Sequence, residues 1–509
     1  MSTDINVATR RDSVSSQPLS TQEKSDASTA SDLIESEQDQ STFEEFTPEE
    51  QAQLDKIYIK LDLRIIPALW ALYFLTSFGS SAYGNTLTMN SEVKHSLAAS
   101  LKLDTHTLST ASALYYVGYI IFDVPMNIMM TRLAPQVWLS RIVLSVGLVY
   151  TCYSALQTPG GLIAIRFISG VCGAGTWPGM SYYVSLFYPP QRMTRRVGYY
   201  FTAAQLSASA AGLVAAGFQK MDMTHGKEGW RWYYLVYGIV TVFVALLLPF
   251  WLPDNNLNRE PSRFQLINKI RSMNKYPLNE EERLLHERDM GHYRKQLKWT
   301  WNDIYRVFID VRIWPLIMMY FGVVGTGFGL AVFGTTLIKA VLKVSSISVS
   351  LLYAPIWLFD LAAILLITPF SDIFKRARPL IFSLASLIII TGLIITTFAK
   401  PKWTRYGGLL IAGFGLGPTV PTCMSMAADI FNQRHGDIGV AVSAALVSGL
   451  GNLGSVVCTY ALYGGWPQDA ARQYRNSNMI MVMICGVSII ASFVSFMLTN
   501  TIGNKKAQK

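Results

Sequence analysis

"YYLVYGIVTVFVALLLPFWL", residues 233–252, runs for twenty positions without a charged side chain. A bilayer's hydrocarbon core takes about 20 helical residues to cross, so this stretch reads as a membrane-spanning helix. It is not alone. Apolar blocks of similar length lie near 65–87, 108–130, 137–156, 162–186 and 197–218 before it. After a polar segment, 253–312, six more follow near 313–338, 348–370, 378–398, 405–430, 437–461 and 478–499. Composition agrees, since 51% of the 509 residues are hydrophobic and 15% charged, against about a quarter charged in soluble domains. The blocks are filled with apolar residues rather than striped at helical spacing, which separates spans from amphipathic surface helices.

Six spans, a charged connection and six more predict an all-α membrane protein with 12 transmembrane helices in two homologous six-helix bundles, 61–252 and 313–500. Proteins built from repeated bundles hold their small-molecule site near the midplane, between the repeats. Residues 1–60 are expected to form a disordered N-terminal tail, because a segment rich in Ser, Thr, Gln and acids buries too little surface to fold. The tail lacks the basic start and apolar core of a secretory leader. Residues 253–312 form a central loop, in which "NEEERLLHERDMGHYRKQL" (279–297) predicts a solvated linker helix. Residues 501–509 make a short C-terminal tail. An even number of spans puts both tails on one side. Lys56, Lys60, Arg64, Arg192, Arg195, Arg196 and the group after span 8 assign that side to the cytoplasm, against a smaller set of opposing lysines.

The net charge of +10 lies largely in loops beside spans, where Lys and Arg sort topology and meet anionic lipid, so no nucleic-acid partner is implied. The five cysteines all fall inside apolar blocks at irregular spacings, as core thiols rather than a disulfide frame or metal site. No nucleophile–base pair, metal-ligand cluster or phosphate-binding glycine loop points to an enzyme.

Ionisable residues inside spans are costly and mark function or pairing. No glutamate lies in the twelve spans; the charges there are Asp123, Arg141, Arg166, Lys339, Asp360 and Asp429. Arg141 and Lys339 are near enough to an interface to snorkel. Arg166 offers a planar fork of donors that suits carboxylate, sulfonate or phosphate. It is expected either to bind an anion or to be a carbonyl-capped structural cation. Asp360, the only charge in "YAPIWLFDLAAILLI", is a candidate for proton coupling or for packing against a polar neighbour. Tyr116, Trp177 and Tyr320 lie on central helices, where they line a site or pack a core. Pro178, Pro418 and Pro421 should kink or break their helices.

Several stretches then match one family. "YYVGYIIFDVPMN" (115–127), "RFISGVCGAGTWPG" (166–179), "SYYVSLFYPPQRMTRRVGYYFTAAQLSASAAG" (181–212), "GWRWYYLVYGIVT" (229–241), "SDIFKRARP" (371–379) and "SGLGNLGS" (448–455) resemble the anion:cation symporters of the major facilitator superfamily. The fungal allantoate permease family is the branch they resemble most, over about residues 60–500. That resemblance implies a monomeric plasma-membrane importer, or a vacuolar or other endomembrane one, of a small organic anion. Nicotinate, pantothenate, biotin, allantoate, cysteine and sulfonates are the family's substrate range, and a proton is the coupling ion, with no cofactor. The candidate residues are then Arg166, Asn85, Tyr116, Trp177, Tyr320 and Asn452 for substrate, Asp360 and Asp123 for proton coupling, and Asp372, Lys375, Arg376 and Arg378 for a conformational loop motif. Two departures stand out. Relatives carry an Asp-Arg pair where this chain has Gly79 and Ser80, and a glutamate where it has Gly173. The arginine of span 4 has therefore lost its family neighbours, which leaves a place for the substrate's anion. A proton-antiport exporter is the alternative, although "AQLSASAAGLVAAG" lacks the proline such exporters carry in span 5; a non-transporting nutrient sensor is another.

Overall fold

The computed structural model describes residues 46–132, 134–254, 277–291 and 301–504. One compact unit spans Ile57–Lys509, and the described residues 46–56 fall outside it. The expected disordered tail is shorter than 60 residues, because helix α1 already begins at Pro48 and runs to Thr86. Its start is a capping box. Glu50 N–H donates to Thr47 Oγ1 at 3.3 Å, and Thr47 N–H donates to Glu50 Oε2 at 2.8 Å, satisfying donors that a helix end otherwise leaves free. The remainder of the tail, 1–45, lies outside the described residues, as do 505–509.

The first half of the compact unit continues with α2 (Thr105–Arg132), α3 (Pro135–Tyr153), α4 (Pro159–Gly173), α5 (Thr176–Ser185), α6 (Pro190–Gln219) and α7 (Gly229–Trp251). Two short helices of the central segment follow, α8 (Glu280–Gly291) and α9 (Trp301–Ile309). The second half holds α10 (Ile313–Leu342), α11 (Ser346–Ile373), α12 (Arg378–Phe398), α13 (Lys402–Leu416), α14 (Thr419–Gly451), α15 (Leu453–Val456) and α16 (Arg475–Asn504). Among the described residues, nine helical stretches are long and apolar enough to cross a membrane. The other three predicted spans are helical too, on α2, α3 and the α4–α5 pair. They carry Asp123, Arg141 or a break.

That break divides the predicted span 162–186. Gly175 sits at φ +80°, a backbone region open to glycine, and a side chain there would meet Met126 Cβ at 2.9 Å. Asp123 Oδ1 accepts the Gly175 N–H at 2.9 Å, so a carboxylate from α2 caps the second fragment. The other break falls at Gly417–Pro418, between α13 and α14, as its proline predicts. Past it, α14 continues helically through the polar stretch expected to link two spans, and Val457–Leu462 then winds as a π-helix.

The two halves meet along α6 against α11, and along α2 against α15 and the π-helix. Their cross-half hydrogen bonds cluster on the face away from the central segment, called here the far side. Thr335 Oγ1 donates to Gly84 O at 2.7 Å, Gln219 Nε2 to Ser350 Oγ at 2.8 Å, and Ser346 N–H to Glu92 Oε1 at 2.9 Å. Backbones touch here: a side chain at Gly84 would come within 2.5 Å of Ala331 O, and one at Gly212 within 2.6 Å of Ser350 O. Small residues permit such approach where lipid gives no hydrophobic drive to association.

The central segment is not a solvated linker. His286 on α8 is fully buried and its Nε2 lies 2.8 Å from Phe187 O, while Asp289 bonds Tyr58 and Glu282 pairs with Lys60. Its mixed charges hide one face, Leu278, His286 and Met290, that the first half covers. The second helix, α9, lies against α14, where Arg434 Nη1 reaches Asp310 Oδ2 at 2.5 Å.

Candidate functional site

Arg166 lies on α4 and is 1% exposed, in the interior of the first half. Its guanidinium carbon sits 3.9 Å from the ring centre of Tyr83 and 4.5 Å from that of Tyr115. Nε donates to Ala111 O at 3.2 Å, and Nη1 has no hydrogen-bond partner. Tyr150 and Tyr153 complete the surround. A desolvated cation–π contact contributes about 2 kcal/mol. Two faces and a carbonyl thus offset the several kcal/mol that burying an ion costs.

Gly79 and Gly173 differ in the space around them. A side chain at Gly79 would strike the ring of Tyr150, so that space is filled by an aromatic. At Gly173, by contrast, a Cβ would meet only the Tyr115 hydroxyl, at 3.7 Å. A Cβ at Gly173 would otherwise meet open space, and the Tyr115 hydroxyl beside it is paired with Ser80 Oγ at 2.9 Å. Sequence reasoning missed the cage because its members come from three helices, with no local signal.

The aromatic candidates lie apart, and Tyr116 is the one that packs across the junction. Tyr116 packs on Phe328 of the other half, with ring centres 5.0 Å apart. Trp177 joins Tyr73, Tyr200 and Phe201 in a cluster with centres 5.2–5.8 Å from its own. Tyr320 presses against Gly451, next to Asn452 at the α14–α15 joint, and lies within electrostatic reach of Tyr73 and Asp123. Asn85 is fully buried; Nδ2 donates to Ser81 O at 2.9 Å, and Oδ1 has no partner. These residues do not converge on one point.

Of the two candidate coupling acids, Asp123 serves as the cap of α5 described above. Asp360, on α11, is 3% exposed, and the Gln205 amide from α6 hydrogen-bonds to its carboxyl. Asp360 Oδ1 and Gln205 Oε1 are both buried acceptors with no hydrogen-bond partner. No ion pair of Asp360 occurs among the described residues. Gly417, at the break after α13, abuts it: a Cβ there would lie 2.8 Å from Asp360 Oδ1. Gln205 was not singled out from the sequence, where an amide in a small-residue run carries no mark.

In the loop motif, Lys375 and Arg376 are exposed on a 3-10 turn, and the side chain of Asp372 lies outside the described residues. Arg378 turns inward, donating to Ser371 O at 3.0 Å and to Ser425 O at 3.2 Å and pairing with Asp429. It clamps α12 to α14. An equivalent clamp in the first half, Arg196 to Asp62 through two bonds of 2.6 and 2.7 Å, was legible only as loop charge.

Known proteins bear on this geometry. "Vitamin H transporter 1" of Schizosaccharomyces pombe is 43% identical over 471 residues, covering 90% of this chain and 82% of that protein. "MFS transporter prlL" of a fungal species is 24% identical over 404 residues, 78% of each. Among solved structures, a bacterial homologue of the human lysosomal transporter Spinster, in an inward-facing and unoccupied conformation, aligns with a TM-score of 0.61 at 16% identity, over 86% of this chain and 96% of that one. Residues 69–459 match the family model of the Major Facilitator Superfamily. With the all-helical fold and the closed far-side junction, this shows that the chain is a multi-pass membrane transporter belonging to the Major Facilitator Superfamily.

Proposed function

We propose that this protein imports a small organic carboxylate, of the vitamin kind typified by biotin, by proton symport with alternating access, and that it belongs to the allantoate permease branch. The observation that carries the reading is the 43% identity to a vitamin H transporter over nine-tenths of the chain. The junction is compatible with such a substrate. Biotin is a monoanion with an apolar body, suited to an aromatic lining with few polar groups. Its carboxylate would lodge in the space over Gly173, taking hydrogen bonds from the Tyr115–Ser80 hydroxyls with Arg166 behind the ring.

Coupling would fall to Asp360. A proton on its Oδ1 would give Gln205 Oε1 the donor it lacks, and the acid–amide pair would then bridge the two halves in the far-side-closed state. Loading the proton and closing the far side become one event. The far side would be the outer face, and the plasma membrane the site of action.

The test is uptake of a labelled panel (biotin, pantothenate, nicotinate, allantoate, cysteine, a sulfonate) by cells expressing the protein, at about pH 5 and 7, with and without a protonophore. Biotin accumulation that the protonophore abolishes supports the reading. Accumulation of a different compound, or uptake indifferent to the protonophore, overturns the substrate or the coupling respectively.

A further inference from the structure

A cavity of about 320 Å³ opens on the far side, above the Thr335–Gly84 contact and so outside the aromatic junction. Ser91 and Thr105 contribute from the first half, and Thr336, Lys339, Tyr463 and Trp466 from the second. Lys339 is the only charged residue in its lining. Its ammonium donates to Ser91 Oγ, which leaves two of its three N–H groups for another acceptor. The acids nearby are engaged elsewhere. Glu92 Oε1 accepts the Ser346 N–H, while Asp469 accepts from Asn476 N–H, Ser477 N–H and Ser477 Oγ at 2.6–3.0 Å. Lys339, partly exposed in the last turn of α10, therefore faces hydroxyls and aromatic walls and makes no ion pair among the described residues, in a space at the small end of ligand pockets.

We propose that this cavity is a second binding site, for a small organic monoanion with an apolar body, in which Lys339 and the hydroxyl of Thr105 or Thr336 hold the anionic group and Tyr463 and Trp466 cover the rest. The ligand class rests on the proposed function, but the site is separate from the junction. Because its walls come from both halves, the occupant bridges them and favours the far-side-closed state.

Site-directed labelling tests this. Cys152 and Cys172 are the cysteines not buried, so Cys152→Ser/Cys172→Ser supplies a quiet background. Into it Ala98→Cys places one reporter at the cavity, and its reaction rate with a polar maleimide is followed on the full-length purified protein. Biotin and 4-phenylbutyrate, at saturation, should each slow labelling at least fivefold, and their neutral amides should not. Lys339→Gln should abolish that protection and Lys339→Arg retain it, each checked for an unchanged melting temperature. Gly173→Glu, which fills the space in the junction, should leave protection intact. Protection by 4-phenylbutyrate alone would keep the site while refuting the vitamin reading. The proposal fails if neither carboxylate protects, if the amides protect equally, if Lys339→Gln protects like wild type, or if Gly173→Glu removes the effect.

Discussion

Replacing Asp360 by Asn tests the coupling reading most directly. Asp360 and Gln205 together present two buried acceptors without donors. Leaving one such group unsatisfied costs about 1–3 kcal/mol. A proton on Asp360 adds a donor to this pair, so the protonated pair should favour the bridged state over the unprotonated one by about 5–150-fold. Asparagine puts an amide N–H₂ where the proton would be, and supplies the donor at every pH. Its shape is nearly unchanged, so the space at Gly417 is respected. Wild-type uptake should rise as pH falls from about 7 to 5, whereas the variant's should be flat, with net accumulation down at least tenfold and exchange of internal for external substrate retained. Transport would be followed with labelled substrate in proteoliposomes with an imposed pH gradient. An Asp360→Asn variant with the wild-type slope against pH would refute the argument, because the proton would then ride elsewhere. Gln205→Leu gives the companion result. It removes the partner while keeping the acid, and should lower the pH response without abolishing binding.

Gly173→Glu should fold, since its side chain enters free space beside Tyr115, and should weaken substrate binding at least tenfold by occupying the anion's place; calorimetry on the purified variant reads both. Gly79→Asp should fail to express, because the Tyr150 ring already fills that position. Gly84→Ala should hinder far-side closure, a methyl group pressing on Ala331 O, and shift cysteine accessibility on that face toward the open form by several-fold. His286→Ala removes the buried contact to Phe187 O and should lower the melting temperature by a few degrees, on the order of 1–3 kcal/mol, without changing substrate affinity.

The spans were readable because a bilayer imposes length and apolarity on each helix independently, and the prolines at 418 and 421 announced a break for the same local reason. Asp360 was readable because one acid in an otherwise apolar helix is conspicuous. The surroundings were not. Arg166 looked like a cation awaiting an anion; the rings that enclose it, Tyr83, Tyr115, Tyr150 and Tyr153, lie on three different helices and become neighbours only on folding. The same holds for Gln205 and for the far-side cavity, both products of helix pairing. The docked face of α8 was masked by its own charges, which a one-dimensional reading counts before geometry can sort them.

The anchoring of both central helices has a mechanical consequence. With α8 fastened to the first half and α9 to the second, ten Cα steps along the chain separate Gly291 from Trp301. Fully drawn out, that length reaches at most about 36 Å. A segment of some sixty residues thus acts as a short leash. It caps how wide the loop side can swing open, and it does so by contour length rather than by any contact that a ligand would have to break.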